Sequence, residues 1–170
     1  IRVILADDHH LVRQGIRALL EKMENIEVVG EAEDGRQALD LAAQLKPDVL
    51  IVDIAMPHLN GIQVLEQLQP LNLPTRTIIL SMHADETLVR QALKYGVAGY
   101  LLKRSVSEEL NLAIHAACRS EIYFCPAVGS IVARNLRAPA SDEECAFERL
   151  SPRERQVLKL IAEGHTNRST

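Results

Sequence analysis

Residues 48–61, DVLIVDIAMPHLNG, decide the fold that is predicted for this chain. The branched apolar run Val49–Val52 predicts a strand that is buried on both faces, as in a parallel sheet. The strand ends at Asp53, and Met-Pro and Asn-Gly follow it as turn signals. A carboxylate beside a buried strand is costly unless an opposite charge holds it there. We therefore expect the rest of the chain to supply that charge.

Strand and helix signals alternate along residues 1–119. Apolar runs predict five strands, at Val3–Ala6, Val28–Val29, Val49–Val52, Thr77–Leu80 and Gly99–Leu102. Helical patterns follow each of them, the first formed by Leu11, Ile16, Leu19 and Leu20, and Gly or Pro residues separate the segments. This alternation predicts an α/β protein with a flavodoxin-like (βα)5 doubly wound parallel sheet and strand order 2-1-3-4-5.

Polar side chains follow four of the predicted strands at their carboxyl ends. Asp7 and Asp8 follow the first strand, Asp53 the third, Ser81 the fourth and Lys103 the fifth. Ligands of doubly wound sheets bind at this edge. A divalent cation shared with Asp7 and Asp8, together with the Lys103 ammonium, would allow Asp53 to stay ionised. The donor set suits Mg²⁺, beside which an aspartate can accept a phosphoryl group.

A different organisation begins after residue 119. Residues 120–147 contain a short helical pattern after Pro126 and then a polar, acidic linker, RAPASDEECAF. Residues 148–170 begin a new helix, which we expect to open an all-α helix-turn-helix domain of which only the N-terminal part is present. The start and stop signals of that helix are Ser151, Pro152, Glu154 and Gly164.

Charge is spread unevenly between these parts. The whole chain has 19 basic and 23 acidic residues, a net charge of -4. Residues 148–170 contain five basic residues against three acidic ones, so the tail is positive and the rest of the chain is more acidic than the total. This asymmetry indicates two modules with different partners.

The composition favours a soluble protein with an aliphatic core. The chain is 47% hydrophobic and contains no tryptophan. No apolar run approaches the roughly 20 residues that cross a bilayer, so we expect no membrane association and a cytoplasmic location. The three cysteines have no CxxC spacing, which argues against a disulfide framework or a zinc site.

Four motifs, in order, resemble those of the receiver domain of two-component response regulators. They are ILADDHHLVRQGI, VDIAMPHLNG, ILSMHADE and GYLLKRS, all within residues 1–119. The segment LSPRERQVLKLIAEGHTN resembles the opening of a LuxR-type helix-turn-helix. Together they resemble a transcriptional regulator of the NarL/FixJ type.

The resemblance implies roles for the residues at the predicted sheet edge. Asp53 matches the phosphoacceptor, Asp7 and Asp8 the acidic pair that holds Mg²⁺, and Lys103 the lysine that contacts the phosphoryl group. Ala55 matches the position whose backbone carbonyl completes the metal coordination. These residues would make the protein a phosphoacceptor switch that catalyses only its own phosphorylation and dephosphorylation, rather than an enzyme acting on other substrates.

The same resemblance implies a switch formed by Ser81 and Tyr100. A phosphoryl oxygen on Asp53 would draw the Ser81 hydroxyl inward, and Tyr100 would turn towards the core. Two residues depart from the pattern of the family. His58 stands where glycine is usual and His10 where proline is frequent, which could change loop conformation, partner choice or phosphate lifetime.

The implied partners are those of a transcriptional regulator. They are a sensor histidine kinase, promoter DNA in the full-length protein, RNA polymerase, and a second copy of the chain on activation. The recognition helix of a LuxR-type module would follow Thr170. We therefore expect these 170 residues to accept a phosphoryl group without binding specific DNA.

Three alternatives use similar residues or the same fold. A phosphatase of the haloacid dehalogenase type would need its nucleophile in a DxD motif after the first strand, where this chain has adjacent acids. A flavin-binding module would need a phosphate loop there, which Asp7 and Asp8 would repel. The third is a receiver-type interaction module that acts independently of phosphorylation, and a phosphorylation assay distinguishes it.

Overall fold

A computed structural model of the protein describes residues 1–137. Its strands are β1 (Arg2–Ala6), β2 (Glu27–Ala32), β3 (Val49–Asp53), β4 (Arg76–Ser81), β5 (Gly99–Leu102) and β6 (Tyr123–Phe124). Its α-helices are α1 (His10–Leu20), α2 (Gly35–Leu45), α3 (Gly61–Leu68), α4 (Glu86–Lys94), α5 (Val106–Cys118) and α6 (Pro126–Arg137). Short 3-10 turns follow α3 at Gln69–Leu71 and β5 at Lys103–Ser105.

The strands form one parallel sheet in the order β2-β1-β3-β4-β5-β6. The prediction of a doubly wound sheet with order 2-1-3-4-5 is therefore confirmed. A sixth strand, β6, lies beyond the five predicted within residues 1–119 and pairs with β5 at the edge of the sheet. Two residues are too short a segment for any periodicity to indicate a strand.

Strand β3 is buried along its whole length, as its sequence predicts. All five residues of β3 are buried, including the acid at its end. Helix α1 differs from its predicted pattern, because Leu11 is 85% exposed whereas Ile16 and Leu20 are buried. Arg13 is buried on this helix instead. The apolar pattern thus located the helix correctly but misplaced one edge of its buried face.

Strand β6 and helix α6 contribute to the same hydrophobic core as strands β1 to β5, and residues 1–133 are called the receiver-like part below. Cys125, Val128 and Ile131 are almost completely buried there. A first compact unit spans Ile1–Ala133 and a second begins at Arg134. The predicted boundary at residue 119 stays a prediction. The later part of the linker and the helix-turn-helix segment 148–170 lie outside the described residues.

No helix within residues 1–137 is both long enough and apolar enough to cross a membrane.

Truncating Ile131 to alanine is expected to lower the free energy of unfolding of the receiver-like part by about 2–5 kcal/mol. Its side chain is only 4% exposed and joins the main core, so the substitution would leave a cavity. Chemical denaturation monitored by far-UV circular dichroism measures the loss. If α6 were only a detached linker, the unfolding midpoint would not move.

Ile122 provides the matched control for this prediction. It is the same residue type, lies just before β6 and is 59% exposed. Ile122→Ala is therefore expected to change the free energy of unfolding by no more than about 0.5 kcal/mol. Equal losses in the two variants would contradict the assignment of α6 to the core.

Candidate functional site

The predicted polar residues meet at the carboxyl edge of the sheet. Asp7 directly follows β1, Asp53 is the last residue of β3, and Ser81 is the last residue of β4. Lys103 opens the 3-10 turn after β5. Because these strands are parallel neighbours, their ends lie side by side. Asp7, Asp53 and Ser81 are all buried.

The Lys103 ammonium joins the two buried acids. Its Nζ lies 2.7 Å from Oδ2 of Asp7 and 2.9 Å from Oδ2 of Asp53. The lysine side chain is only 7% exposed, so water screens these interactions poorly. This lysine is the opposite charge that the sequence of β3 requires beside Asp53.

One ammonium does not fully compensate two buried carboxylates. Burial raises the pKa of Asp53, while the hydrogen bond and charge of Lys103 act in the opposite direction. For Lys103, burial alone would lower the pKa, but the hydrogen bonds to Asp7 and Asp53 and their negative charges together outweigh that effect and raise it. The site is therefore electrostatically prepared for a further cation.

Asp8 and His9 lie next to Asp7 and Asp53 and form with them a cluster of possible metal ligands. Carboxylate oxygens of Asp7, Asp8 and Asp53 and a ring nitrogen of His9 all lie within 4.8 Å of one another. His9 Nδ1 is 2.8 Å from Oδ1 of Asp8, and the His9 backbone N–H donates to Oδ1 of Asp7 at 2.9 Å. Three carboxylates against one lysine leave an excess of negative charge, and oxygen donors are those that Mg²⁺ prefers. These residues fit a magnesium ion.

The loop between β3 and α3 lies against Asp53. A hydrogen bond from the Ala55 backbone lowers the pKa of Asp53 and so opposes the effect of burial. Ala55 is exposed beside the buried acid. His58, the predicted departure from glycine, has φ 63°. This left-handed conformation is the one that glycine adopts most easily, which explains why glycine suits the position.

The two residues of the predicted switch lie on neighbouring strands. The Ser81 hydroxyl donates to the backbone oxygen of His83 at 2.7 Å, which directs it into the loop before α4. Tyr100 is completely buried within β5. Burial raises the pKa of its hydroxyl, and Ser81 acts in the opposite direction. The ring thus lies in the core, and its predicted rotation stays a prediction.

Sequence analysis missed one residue next to this site. Arg13 of α1 is buried and donates through Nη1 to the backbone oxygen of Asp7 at 2.6 Å. It also pairs with Glu31 and Glu33, at the end of β2 and just after it. The signal available in the sequence was a pair of acids at the end of the strand next to β1 in the predicted order.

Known proteins resemble this chain in sequence and in fold. The response regulator receiver domain family matches residues 3–115. The nitrate/nitrite response regulator NarL of Escherichia coli K12 is 39% identical over 98% of this chain and 77% of its own length. The receiver domain of NarL from Mycobacterium tuberculosis is 39% identical with a TM-score of 0.69, over 71% of this chain and 98% of that one.

A longer structural relative extends the similarity beyond the receiver. The Salmonella typhimurium response regulator RcsB, in a structure concerned with DNA interaction, is 30% identical with a TM-score of 0.74. The alignment covers 96% of this chain and 78% of RcsB. The family match covers more than half of the present chain. This chain therefore belongs to the response regulator receiver domain family, with relatives of the NarL/LuxR type.

Proposed function

We propose that Asp53 accepts a phosphoryl group from a sensor histidine kinase in a Mg²⁺-dependent reaction, and that this controls a transcriptional output. The observation that carries the proposal is the Lys103 ammonium within 3 Å of two buried carboxylates at the edge of the sheet, with Asp8 beside them. The protein is then a phosphoacceptor switch, whose only catalysis is its own phosphorylation and dephosphorylation.

The chemistry follows from what each residue does. A carboxylate oxygen of Asp53 attacks phosphorus and forms the new P–O bond, while the bond between phosphorus and the donor breaks and leaves its electron pair on the donor. Lys103 remains near the phosphoryl oxygens and offsets their charge. Asp7, Asp8 and the Ala55 backbone carbonyl would hold Mg²⁺ together with Asp53. When bound, the ion neutralises charge on the transferred group.

The response to phosphorylation is proposed to pass through Ser81 and Tyr100. The Ser81 hydroxyl would exchange its bond to His83 for one to a phosphoryl oxygen. The β4–α4 loop would move with it, because the His83 N–H also donates to Ser81 Oγ at 3.2 Å. Tyr100 would then turn, and α4, which follows that loop, would present a changed surface to partners. The proposed partners of the switched form are promoter DNA, RNA polymerase and a second copy of the chain.

The test is phosphorylation of the whole chain by acetyl phosphate in Mg²⁺, followed by mass spectrometry. We expect an adduct of about 80 Da, the mass of PO₃, in the wild type and none in Asp53→Asn. The matched control is Asp40→Asn, which changes an exposed acid on α2 in the same way. The control should form the adduct as the wild type does. An undiminished adduct on Asp53→Asn would refute the assignment of the phosphoacceptor. No adduct on the wild type would favour a module that acts without phosphorylation.

A further inference from the structure

Arg13 links three segments beside the proposed metal site. Its side chain is 6% exposed, and all three of its nitrogens are engaged. Nη1 donates to the backbone oxygen of Asp7 at 2.6 Å, Nε lies 3.3 Å from Glu31, and Nη2 lies 2.6 Å from Glu33. One planar guanidinium therefore holds the β1–α1 loop against the end of β2 and the loop that follows it.

The contact with Asp7 is made to its backbone and not to its carboxylate. The carboxylate remains available, with Oδ2 near Lys103 and Oδ1 accepting from the backbone of His9. By holding the backbone carbonyl of Asp7, Arg13 restricts the orientation of the peptide between Asp7 and Asp8. This limits the directions in which both carboxylates can point. Groups that orient metal ligands in this way matter for metal affinity although they do not touch the ion.

We propose that Arg13 is a positioning residue for the acidic pair, which sets Asp7 and Asp8 in the geometry that binds a divalent cation. This inference rests on the proposed function, because it concerns the same magnesium site.

A purely electrostatic role and a positioning role of Arg13 predict opposite changes in Mg²⁺ affinity when Arg13 is removed. A positive charge near a cation site disfavours cation binding, so its removal alone should tighten Mg²⁺ binding. The acids Glu31 and Glu33, left without that partner, would add to the attraction. If Arg13 orients Asp7, its removal should weaken Mg²⁺ binding instead. Weaker binding after Arg13→Met therefore cannot come from the change of charge.

The experiment measures Mg²⁺ affinity through the stability of the whole chain. Urea unfolding over a Mg²⁺ series, with NaCl keeping ionic strength constant, gives the apparent Kd from the stabilisation that the ion adds. The metal-free curve reports separately on any purely structural role. Arg13→Met should raise the Kd for Mg²⁺ by about tenfold or more, the range found for residues that orient metal ligands. Arg13→Lys, which keeps the charge and loses the planar fork, should also raise it.

Arg17 offers a control in the same helix and the same charge cluster. It pairs with Glu21 and Glu31 but does not contact Asp7. Arg17→Met makes the same change of charge, so its Kd for Mg²⁺ should stay at the wild-type value or fall.

The outcomes separate this inference from the proposed function. A Kd unchanged or lowered in Arg13→Lys and Arg13→Met would overturn the positioning role, even if both variants were less stable without metal. If Arg13→Met did not fold, Arg13→Lys alone would decide. A wild type that gains no stability from Mg²⁺ would instead contradict the proposed magnesium site.

Discussion

Lys103→Met is expected to lower the free energy of unfolding by about 3–5 kcal/mol at pH 7 in the absence of metal. The substitution leaves Asp7 and Asp53 buried next to each other without their shared counter-charge. Removing one partner of a buried ion pair costs more than the pair contributes, because the remaining charge stays desolvated. Phosphorylation of Asp53 should also be lost, since the ammonium that would offset the charge of the phosphoryl group is gone.

The size of this loss should depend on pH in a defined direction. The pKa of Asp53 in the folded state is raised above its ordinary value of 3.8. In the pH interval between these two pKa values, the folded state binds more protons than the unfolded state. Stability then falls as pH rises through the interval. Without Lys103 the pKa of Asp53 should rise further, because the hydrogen bond and charge that lower it are absent. The loss in Lys103→Met should therefore shrink as the pH falls towards 3.8.

The contribution of Lys103 itself acts at the alkaline end. The pKa of Lys103 is raised above its ordinary value of 10.5. Its stabilisation is thus fully present below 10.5 and is lost as pH rises through the folded-state pKa. At pH 7 the lysine is charged in both states. Below pH 7 the lysine therefore adds no pH dependence of its own.

Urea unfolding at a series of pH values from 7 towards 3.8, with a chelator present, measures the loss of stability and its dependence on pH. Lys22→Met, at an exposed position after α1, is the matched control and should change stability by no more than about 0.5 kcal/mol. Lys103→Arg keeps the charge, so it should recover part of the stability while placing the positive group differently. A loss in Lys103→Met that does not shrink anywhere between pH 7 and pH 3.8 would show that lost packing, and not unpaired charge, is responsible.

The sequence was most informative where a pattern has a single structural interpretation. A buried apolar strand that ends in an acid predicted both β3 and the position of Asp53, because parallel strands place their carboxyl ends at one edge. The same rule predicted from the sequence that Lys103 lies close to Asp7 and Asp53. The glycine that the family resemblance implies at position 58 is likewise explained by one dihedral angle, the φ of 63° that His58 adopts.

Other features depend on contacts that no local pattern encodes. Leu11 fits the apolar period of α1, yet it is exposed and Arg13 is buried. Arginine is buried there because Asp7, Glu31 and Glu33 satisfy its guanidinium, and these partners come from two other strand ends. Strand β6 is too short to carry a period and exists because β5 offers an edge with which it can pair. Tertiary partners, not propensity, decide these positions.

Gly61→Ala is expected to destabilise the fold by about 1–3 kcal/mol and to slow phosphorylation of Asp53 strongly. A Cβ atom at position 61 would lie 2.7 Å from the backbone oxygen of Asp53 and 3.0 Å from Cα of Ile54. Both neighbours are backbone atoms, so no side-chain rotation can make room. The first turn of α3 is held in place by the Asn60–Gln63 capping box and by the Gly61 N–H, which donates to Ile54 at 3.1 Å. The end of β3 would then have to shift, and Asp53 with it.

The consequence for the proposed chemistry follows from the distance scale of the site. Asp53 lies 2.9 Å from Lys103, and a misplacement of about 1 Å in a reacting group can reduce a rate roughly 100-fold. Adduct formation from acetyl phosphate, followed over time by mass spectrometry, measures the rate, and urea unfolding measures stability.

Gly15→Ala is the matched control, since a Cβ at that position of α1 would meet nothing within 4 Å. It should gain about 0.5–1 kcal/mol of stability from improved helix propensity and phosphorylate at the wild-type rate. A Gly61→Ala variant that is destabilised yet phosphorylates normally would show that this glycine is required for packing alone. A loss of rate beyond any loss of folded protein would show that the close contact between α3 and the end of β3 holds Asp53 in its reactive position.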